Sequence, residues 1–324
     1  MTTEPRFPES TEERASPRVR FIQVNEDESG QRIDNFLLAR LKGVPKSRIY
    51  RLLRKGEIRV NKGRIGPDHR LCARDVVRLP PIRTAERARV AAPGRHLRTR
   101  LEDNILYEDE VCLVINKPAG LAVHGGSGVN LGLVEALRAM RPKERRLELV
   151  HRLDRDTSGC LLLARKRGAL TDLQNQMRRR LTEKRYLALV KGRWPRHCRE
   201  VNAPLLKITL PSGERIVRVS KEGKSALTRF AVVQHFADVS LIQVELETGR
   251  THQIRVHCQS QGYPLVGDAK YGDDDFNQQC KKYGLTRLFL HAKSLGFRSP
   301  ATGESVMVEA PLPADLQQAL AQLP

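Results

Sequence analysis

The densest chemistry in the chain lies in the stretch ELVHRLDRDTSGCLLLARK, which gathers His151, Arg152, Asp154, Arg155, Asp156, Thr157, Ser158 and Gly159 ahead of an apolar run. A polar loop that feeds a buried strand is a common way for a rigid scaffold to hold functional groups. Nearby positive charge favours the charged form of a carboxylate, and a partly desolvated carboxylate is a competent nucleophile or base. Spacing alone leaves two other readings open. Asp, Thr, Ser and Gly are turn residues, so the stretch also reads as a surface turn with ion pairs. Asp154 and Asp156 at i, i+2 also allow aspartate-based phosphoryl transfer, which needs Mg2+ and further acids. Asp273, Asp274 and Asp275 could be offered, but they sit in the polar stretch YGDDDFNQQ with no strand before them.

The elements around this loop must position it. DEVCLVINKPAG reads as a buried strand ending at Lys117-Pro118. LAVHGGSGV, with His124, Gly125, Gly126 and Gly128, is a glycine-rich turn before a helix around LGLVEALRAM; it lacks the Lys-Ser/Thr of a phosphate-binding loop. LLLAR, RYLALVKG, RIVRVS, LTRFAVV and SLIQVELETG alternate or run apolar with β-branched content. They predict a large, mostly antiparallel sheet with flanking helices over residues 101–324, an α+β architecture.

A small α+β module is expected over residues 20–80. Ile33, Phe36, Leu37 and Leu41 fall at helical spacing, and Ser47 is a candidate N-cap for a second helix carrying Ile49, Leu52 and Leu53 and ended by Gly56. EIRVNKGRI alternates around a turn at Asn61-Lys62-Gly63, and DVVRL supplies a last strand. Residues 21–80 hold fourteen Lys and Arg against seven Asp and Glu. Arg48, Arg51 and Arg54 (or Lys55) can form a helical stripe that tracks a phosphate backbone, rather than a merely solvated face. Residues 1–19 read as a disordered tail, and 81–100, with six arginines against one glutamate, as a basic tether.

The whole chain of 324 residues carries 58 Lys+Arg against 37 Asp+Glu, a formal charge of +21 that points to a polyanionic partner. A hydrophobic share of 40% supports a real core. The cysteines, 72, 112, 160, 198, 258 and 280, form no CxxC pair, which together with the lack of a signal peptide predicts reduced thiols in the cytoplasm. No apolar run approaches the ~20 residues of a membrane span. No apolar interface is evident, so a monomer is expected.

Two resemblances sharpen these readings. RIDNFLLARL followed by PKSRIYRLLRKGEIRVNKGRI resembles the S4-type RNA-binding domain, in which the second helix and the following loop lie against structured RNA. That implies RNA contacts from Lys46, Arg48, Arg51, Arg54, Lys55, Arg59, Lys62 and Arg64. HRLDRDTSG resembles the signature of the RluA-type family of pseudouridine synthases, which act on large-subunit ribosomal and transfer RNA. INKPAGLAVHGG, EKRYLALVKG, GRTHQIRVH, PLVGDAKYG and RLFLHAKSLGF agree with it, so that the resemblance spans about residues 101–312. It implies the pseudouridine synthase fold and isomerisation of specific uridines in 23S ribosomal RNA. No cofactor or metal is implied, because the reaction involves no redox change and no net hydrolysis.

The resemblance further implies that Asp154 is the catalytic aspartate, acting at the base or at the ribose. Tyr186 would stack on the base and aid proton removal from C5. Arg255 would pair with the carboxylate, in a bidentate contact. Arg152 would act as a wedge or phosphate contact, and His151, His124 and Arg155 would bind substrate. His252 and His257, at i, i+5 in an expected helix, fall on different faces and make a weak metal pair. Two alternatives remain: a non-catalytic S4-type ribosome-associated factor, or the same reaction on transfer RNA or other ribosomal sites.

Overall fold

The structure, a computed structural model, describes residues 18–41, 43–82, 93–125, 131–142, 144 and 146–324. The expected tail therefore lies outside the described residues up to position 17, as do residues 83–92 of the expected tether. The chain divides into two compact units, Met1–Arg89 and Val90–Pro324.

The first unit holds β1 (Arg20–Gln23), α1 (Ile33–Arg40), α2 (Lys46–Arg54), β2 (Arg59–Val60), β3 (Gly63–Arg64) and β4 (Val76–Leu79), with its antiparallel strands in the order β1-β4-β2-β3. The periodic residues Ile33, Phe36, Leu37, Ile49, Leu52 and Leu53 pack into one core. Ser47 is not the cap. The Pro45 carbonyl already accepts the Arg48 and Ile49 N–H groups, so α2 begins at Lys46 with Pro45 ahead of it. Asn61 and Lys62 both adopt positive φ, 49° and 68°, the two-residue turn whose twist matches a tight hairpin.

In the second unit, α3 (Arg95–Glu102) precedes β5 (Ile105–Glu108) and β6 (Cys112–Lys117). This helix replaces the last part of the expected tether. Leu97 and Leu101 at i, i+4 pack on the core, a pattern obscured by the surrounding arginines. Next come α4 (Leu133–Met140), β7 (Glu148–Leu149), β8 (Ser158–Ala164), α5 (Arg167–Arg178), β9 (Glu183–Lys191) and β10 (Glu200–Asn202). A hairpin, β11 (Leu205–Thr209) with β12 (Arg215–Val219), stands outside the main sheet. The chain continues with β13 (Leu227–His235), β14 (Val239–Leu246), α6 (Gln253–Ser260), α7 (Asp274–Cys280), β15 (Leu290–Arg298), β16 (Ser305–Glu309) and α8 (Ala314–Ala321).

Ten strands form one sheet in the order β10-β13-β14-β9-β15-β8-β6-β5, with β7 paired to β8 and β16 to β15. Every pairing is antiparallel except β15 with β8. One face packs against α3, α4 and α6 through Leu101, Leu137, Leu161, Ala188, Ile242 and Ile254. The other face is covered by α5 and, further along, by α7 and α8. The parallel pair needs a glycine at its start. Gly159 has φ +109°, and a Cβ there would lie 2.2 Å from the Ala292 carbonyl oxygen. The strand that follows the HRLDRDTS loop can therefore approach β15 only because residue 159 has no side chain.

Candidate active site

Asp154 opens a tight turn immediately before β8, closed by the Thr157 N–H on the Asp154 carbonyl at 3.2 Å. The turn is anchored from beneath. Lys117, fully buried at the end of β6, donates from Nζ to the carbonyls of Pro118, Leu121 and Arg155, each at 2.9 Å. Burial pulls this lysine down to about 7, with the charges of Asp156 and Asp154 opposing. The Gly120 N–H also donates to the Arg155 carbonyl, at 2.9 Å. The Asp154 side chain is left about one-fifth exposed, at 21%.

Two cavities meet at this carboxylate. One, of about 460 Å³, is walled by Leu153, Lys184, Tyr186, Ile254 and Leu290. The other, of about 1050 Å³, is bordered by Arg100, Asn116, Lys117, Arg155, Lys270 and Arg287. Arg152, Asp154, His252 and Arg255 line both.

Arg255 lies on α6, but its fork is not on Asp154. Its Nε and Nη2 donate to Asp268 at 2.7 and 2.6 Å, a bidentate pair with a carboxylate whose side chain is fully buried. The remaining Nη1 points at Asp154 Oδ2 from 3.6 Å. The expected bidentate Arg255–Asp154 contact is therefore corrected: Asp268 takes the fork, and Asp154 receives the one free corner. Burial by itself would push the Asp268 carboxyl up, but Arg255 and the backbone N–H groups of Tyr271 and Lys270 outweigh it and hold it below the ordinary range. Burial likewise works against the Arg255 charge, and Asp268 more than compensates.

His252 precedes α6 in a left-handed conformation, φ 53°, held by Gln253. The Gln253 amide makes four hydrogen bonds, to Leu227 O, Thr228 Oγ1, Thr248 Oγ1 and Arg250 N. His252 Nδ1 meets the Tyr271 hydroxyl at 2.7 Å, and that oxygen accepts the Val217 N–H at 2.9 Å. With the Tyr271 hydroxyl as donor to Nδ1, the imidazole proton sits on Nε2, 3.8 Å from Asp154 Oδ2 and beyond hydrogen-bond length. Burial lowers the His252 pKa, with Asp154 opposing. His257, by contrast, is bonded to Thr228 Oγ1 and Ala203 O, well inside the core.

Tyr186 is buried on β9, where burial, and secondarily the Asp154 charge, push its phenol well up. His151 accepts the Leu162 N–H on Nε2 at 3.1 Å, and burial lowers it to about 4. It ties the loop to β8 while lining the smaller cavity. Arg152 and Arg155 are exposed; Arg155 borders only the larger cavity and pairs with Asp156 at 3.2 Å. His124 is not brought to the site as expected. It is exposed at the edge of the glycine-rich turn and lines neither cavity, and residues 126–130 of that turn lie outside the described residues. Asp273 caps α7 by accepting the Phe276 N–H and pairs with Lys191 at 2.5 Å, so the acids considered for phosphoryl transfer serve a helix start. Among the described residues no group of three His, Cys, Asp or Glu could hold a metal ion.

In the first unit, Lys46, Arg48, Arg51, Arg54, Lys55, Arg59, Lys62 and Arg64 are all exposed. Among the described residues, Arg48, Arg51 and Arg54 have no acid within ion-pair distance. The residues missed from sequence are Lys117, Gln253 and Asp268. The one usable signal was at Asp268, an acid enclosed by glycines in GDAKYG: a Cβ on Gly267 would lie 2.0 Å from the Arg287 carbonyl oxygen, and one on Gly272 2.1 Å from that of Asp268.

Comparison with known proteins agrees with both units. A family model described as RNA pseudouridylate synthase matches residues 111–260, and an S4 domain model matches 31–77. The chain is 55% identical to the ribosomal large subunit pseudouridine synthase C of Pasteurella multocida, over 94% of each chain. It is 55% identical to the protein of the same name from Escherichia coli K12, over 95% of this chain and 98% of that one. Among solved structures, human RNA pseudouridylate synthase domain containing 4 superposes with a TM-score of 0.57 at 28% identity, covering 70% of this chain and 95% of its own. The carboxylate loop, the sheet that carries it and these likenesses over nearly the full length agree: the chain belongs to the RNA pseudouridylate synthase family and is a pseudouridine synthase with an N-terminal S4 domain.

Proposed function

We propose that this enzyme isomerises uridines of 23S ribosomal RNA, the particular set modified by the type C synthases, as a monomer in the cytoplasm, with Asp154 as the reacting carboxylate. The observation that carries the reading is Asp154 at the junction of two cavities, 3.6 Å from the one free corner of Arg255. The relatives named for the large ribosomal subunit support the substrate class. All six cysteines are free, and among the described residues no helix is long and apolar enough to cross a membrane.

The target uridine must leave its stack, because C1′ and C5 are inaccessible within it. In this reading the base enters the smaller cavity along the Tyr186 ring, and Asp154 adds to the base or acts at C1′. Uracil separates from C1′, turns, and rejoins through C5. Arg255, fixed by Asp268, holds Asp154 in place, and Arg152 at the rim contacts the backbone or fills the vacated stack. Atoms and electrons balance without an external carrier.

The test is nucleotide-resolution mapping after incubating the purified chain with 23S, 16S and transfer RNA. Pseudouridine should appear in 23S RNA; appearance in transfer RNA alone would refute the proposed target. The S4 face gives a second expectation. Each of Arg48→Ala, Arg51→Ala and Arg54→Ala should weaken 23S binding and flatten its salt dependence by about 0.7–0.9 in log–log slope per lost phosphate contact. An unchanged slope in all three would remove α2 from the RNA interface.

A further inference from the structure

Lys184 differs from the other buried cations of the second unit. Lys117 has three carbonyls and Arg255 has Asp268, whereas Lys184 is only 8% exposed and, among the described residues, its ammonium makes neither a hydrogen bond nor an ion pair. The stem is buried, but the ammonium is not among the buried atoms left without a partner, so it reaches the open space of the cavity and is free to meet a ligand there. The side chain lines the 460 Å³ cavity together with Tyr186 and Asp154. It lies two residues before Tyr186 on β9, where burial alternates, so the two share one face about 6.8 Å apart. Asp154, Tyr186 and Lys184 therefore all line the one cavity. The groups that interact electrostatically with Lys184 are Arg180, His151 and Glu247, the last already paired with Arg229 at 2.5 Å. Burial lowers the Lys184 pKa, with Glu247 opposing and Arg180 adding.

We propose that Lys184 is the base-reading residue of the site, donating a hydrogen bond from its ammonium to a ring carbonyl of the extruded uracil. This rests on the proposed seating of the nucleoside between Asp154 and Tyr186. The chemistry of the rearrangement favours such a donor. The C1′–N1 bond breaks and a C1′–C5 bond forms, while C5 loses a proton and N1 gains one. N1 and C5 change places by a half-turn of the ring about the line through N3 and C6. The same half-turn exchanges the C2 and C4 carbonyls. A donor set on one carbonyl therefore finds the other in its place afterwards, and a flexible stem with three rotatable N–H bonds can follow the exchange. Cytosine carries an amino group at C4, so it would present a donor to a donor in one of the two orientations. One ammonium then reads uracil both before and after the turn.

The test compares wild type with Lys184→Met on 23S fragments carrying uridine, cytidine or an abasic residue at the target position. Lys184→Met should lower kcat/KM by roughly 10- to 100-fold, the worth of a hydrogen bond to a charged group. Wild type should bind the uridine fragment at least about tenfold more tightly than the cytidine fragment, and Lys184→Met should lose that preference. Abasic binding should be equal in both. Because the ammonium makes no hydrogen bond or ion pair within the protein and methionine keeps most of the apolar stem, the melting temperature should change little. A lower melting temperature would assign Lys184 to the fold instead. Equal weakening on all three fragments, with a flatter salt dependence, would assign it to a phosphate, and an intact uridine preference in the variant would also overturn the proposal. Asp154→Asn run in parallel separates the two levels: if it stays active, the seating itself fails, whereas if it is inactive and Lys184→Met still prefers uridine, only the base-reading role fails.

Discussion

Asp154→Asn is expected to leave the purified protein folded and bound to RNA while lowering the single-turnover rate by about 10⁴-fold or more, the scale seen when a nucleophile is removed. The substitution keeps the shape and removes the charge and the reacting oxygen pair. Stability should change little, because Arg255 is anchored by Asp268 at 2.6 and 2.7 Å and Asp154 only meets its free corner at 3.6 Å. RNA affinity should hold or rise slightly, since a negative charge is lost beside a polyanion. Gel-shift titration and single-turnover kinetics on the same preparation give both numbers, and a rate within tenfold of wild type would reject the assignment.

The largest structural effect is expected from Asp268→Ala. Its carboxylate is fully buried and bonded to Arg255 and to the Lys270 and Tyr271 N–H groups. Removing one partner of such a pair leaves an uncompensated buried charge, at a cost of about 3–5 kcal/mol. Denaturant unfolding should show that loss at neutral pH. The sign of its pH dependence follows from the lowered Asp268 pKa. A carboxyl held below its unfolded value stabilises above that unfolded value, near ~4, and loses the contribution as pH falls through the folded one. The gap between wild type and variant should therefore be flat at neutral pH and shrink in acid. Activity should fall as well, by roughly 10²-fold in the surviving folded fraction, because a loosened Arg255 no longer fixes Asp154. A variant as stable as wild type would show that the fork is anchored elsewhere.

Much of this was legible along the chain because it depends on local pattern. Ile33, Phe36 and Leu37 announced α1 by spacing, and the apolar run after Gly159 announced β8. The HRLDRDTSG loop stands out for its charge and turn residues ahead of that run, but spacing alone leaves a surface turn open, and it is the family resemblance that marks the loop as a site. What stayed hidden depends on the tertiary structure. Which of two acids takes the fork of Arg255 is decided by the close approach around Gly267 and Gly272, which no periodicity reports. Lys117 looked like the end of a strand; only the fold shows three carbonyls converging on its ammonium. The helix at Arg95–Glu102 was masked by arginines on its exposed sides, with Leu97 and Leu101 too few to set a pattern by themselves. His124, drawn in by its neighbours in sequence, shows the opposite failure, since proximity along the chain did not bring it to the cavities.

The proposed reaction on ribosomal RNA assigns the isomerisation to one carboxylate, at position 154. It is tested most directly by mapping pseudouridine in the 23S RNA of cells that lack this gene and are supplied with wild type or Asp154→Asn at matched protein levels. Modifications missing from the deletion strain should return with wild type and not with the variant. Their return with Asp154→Asn would contradict that assignment.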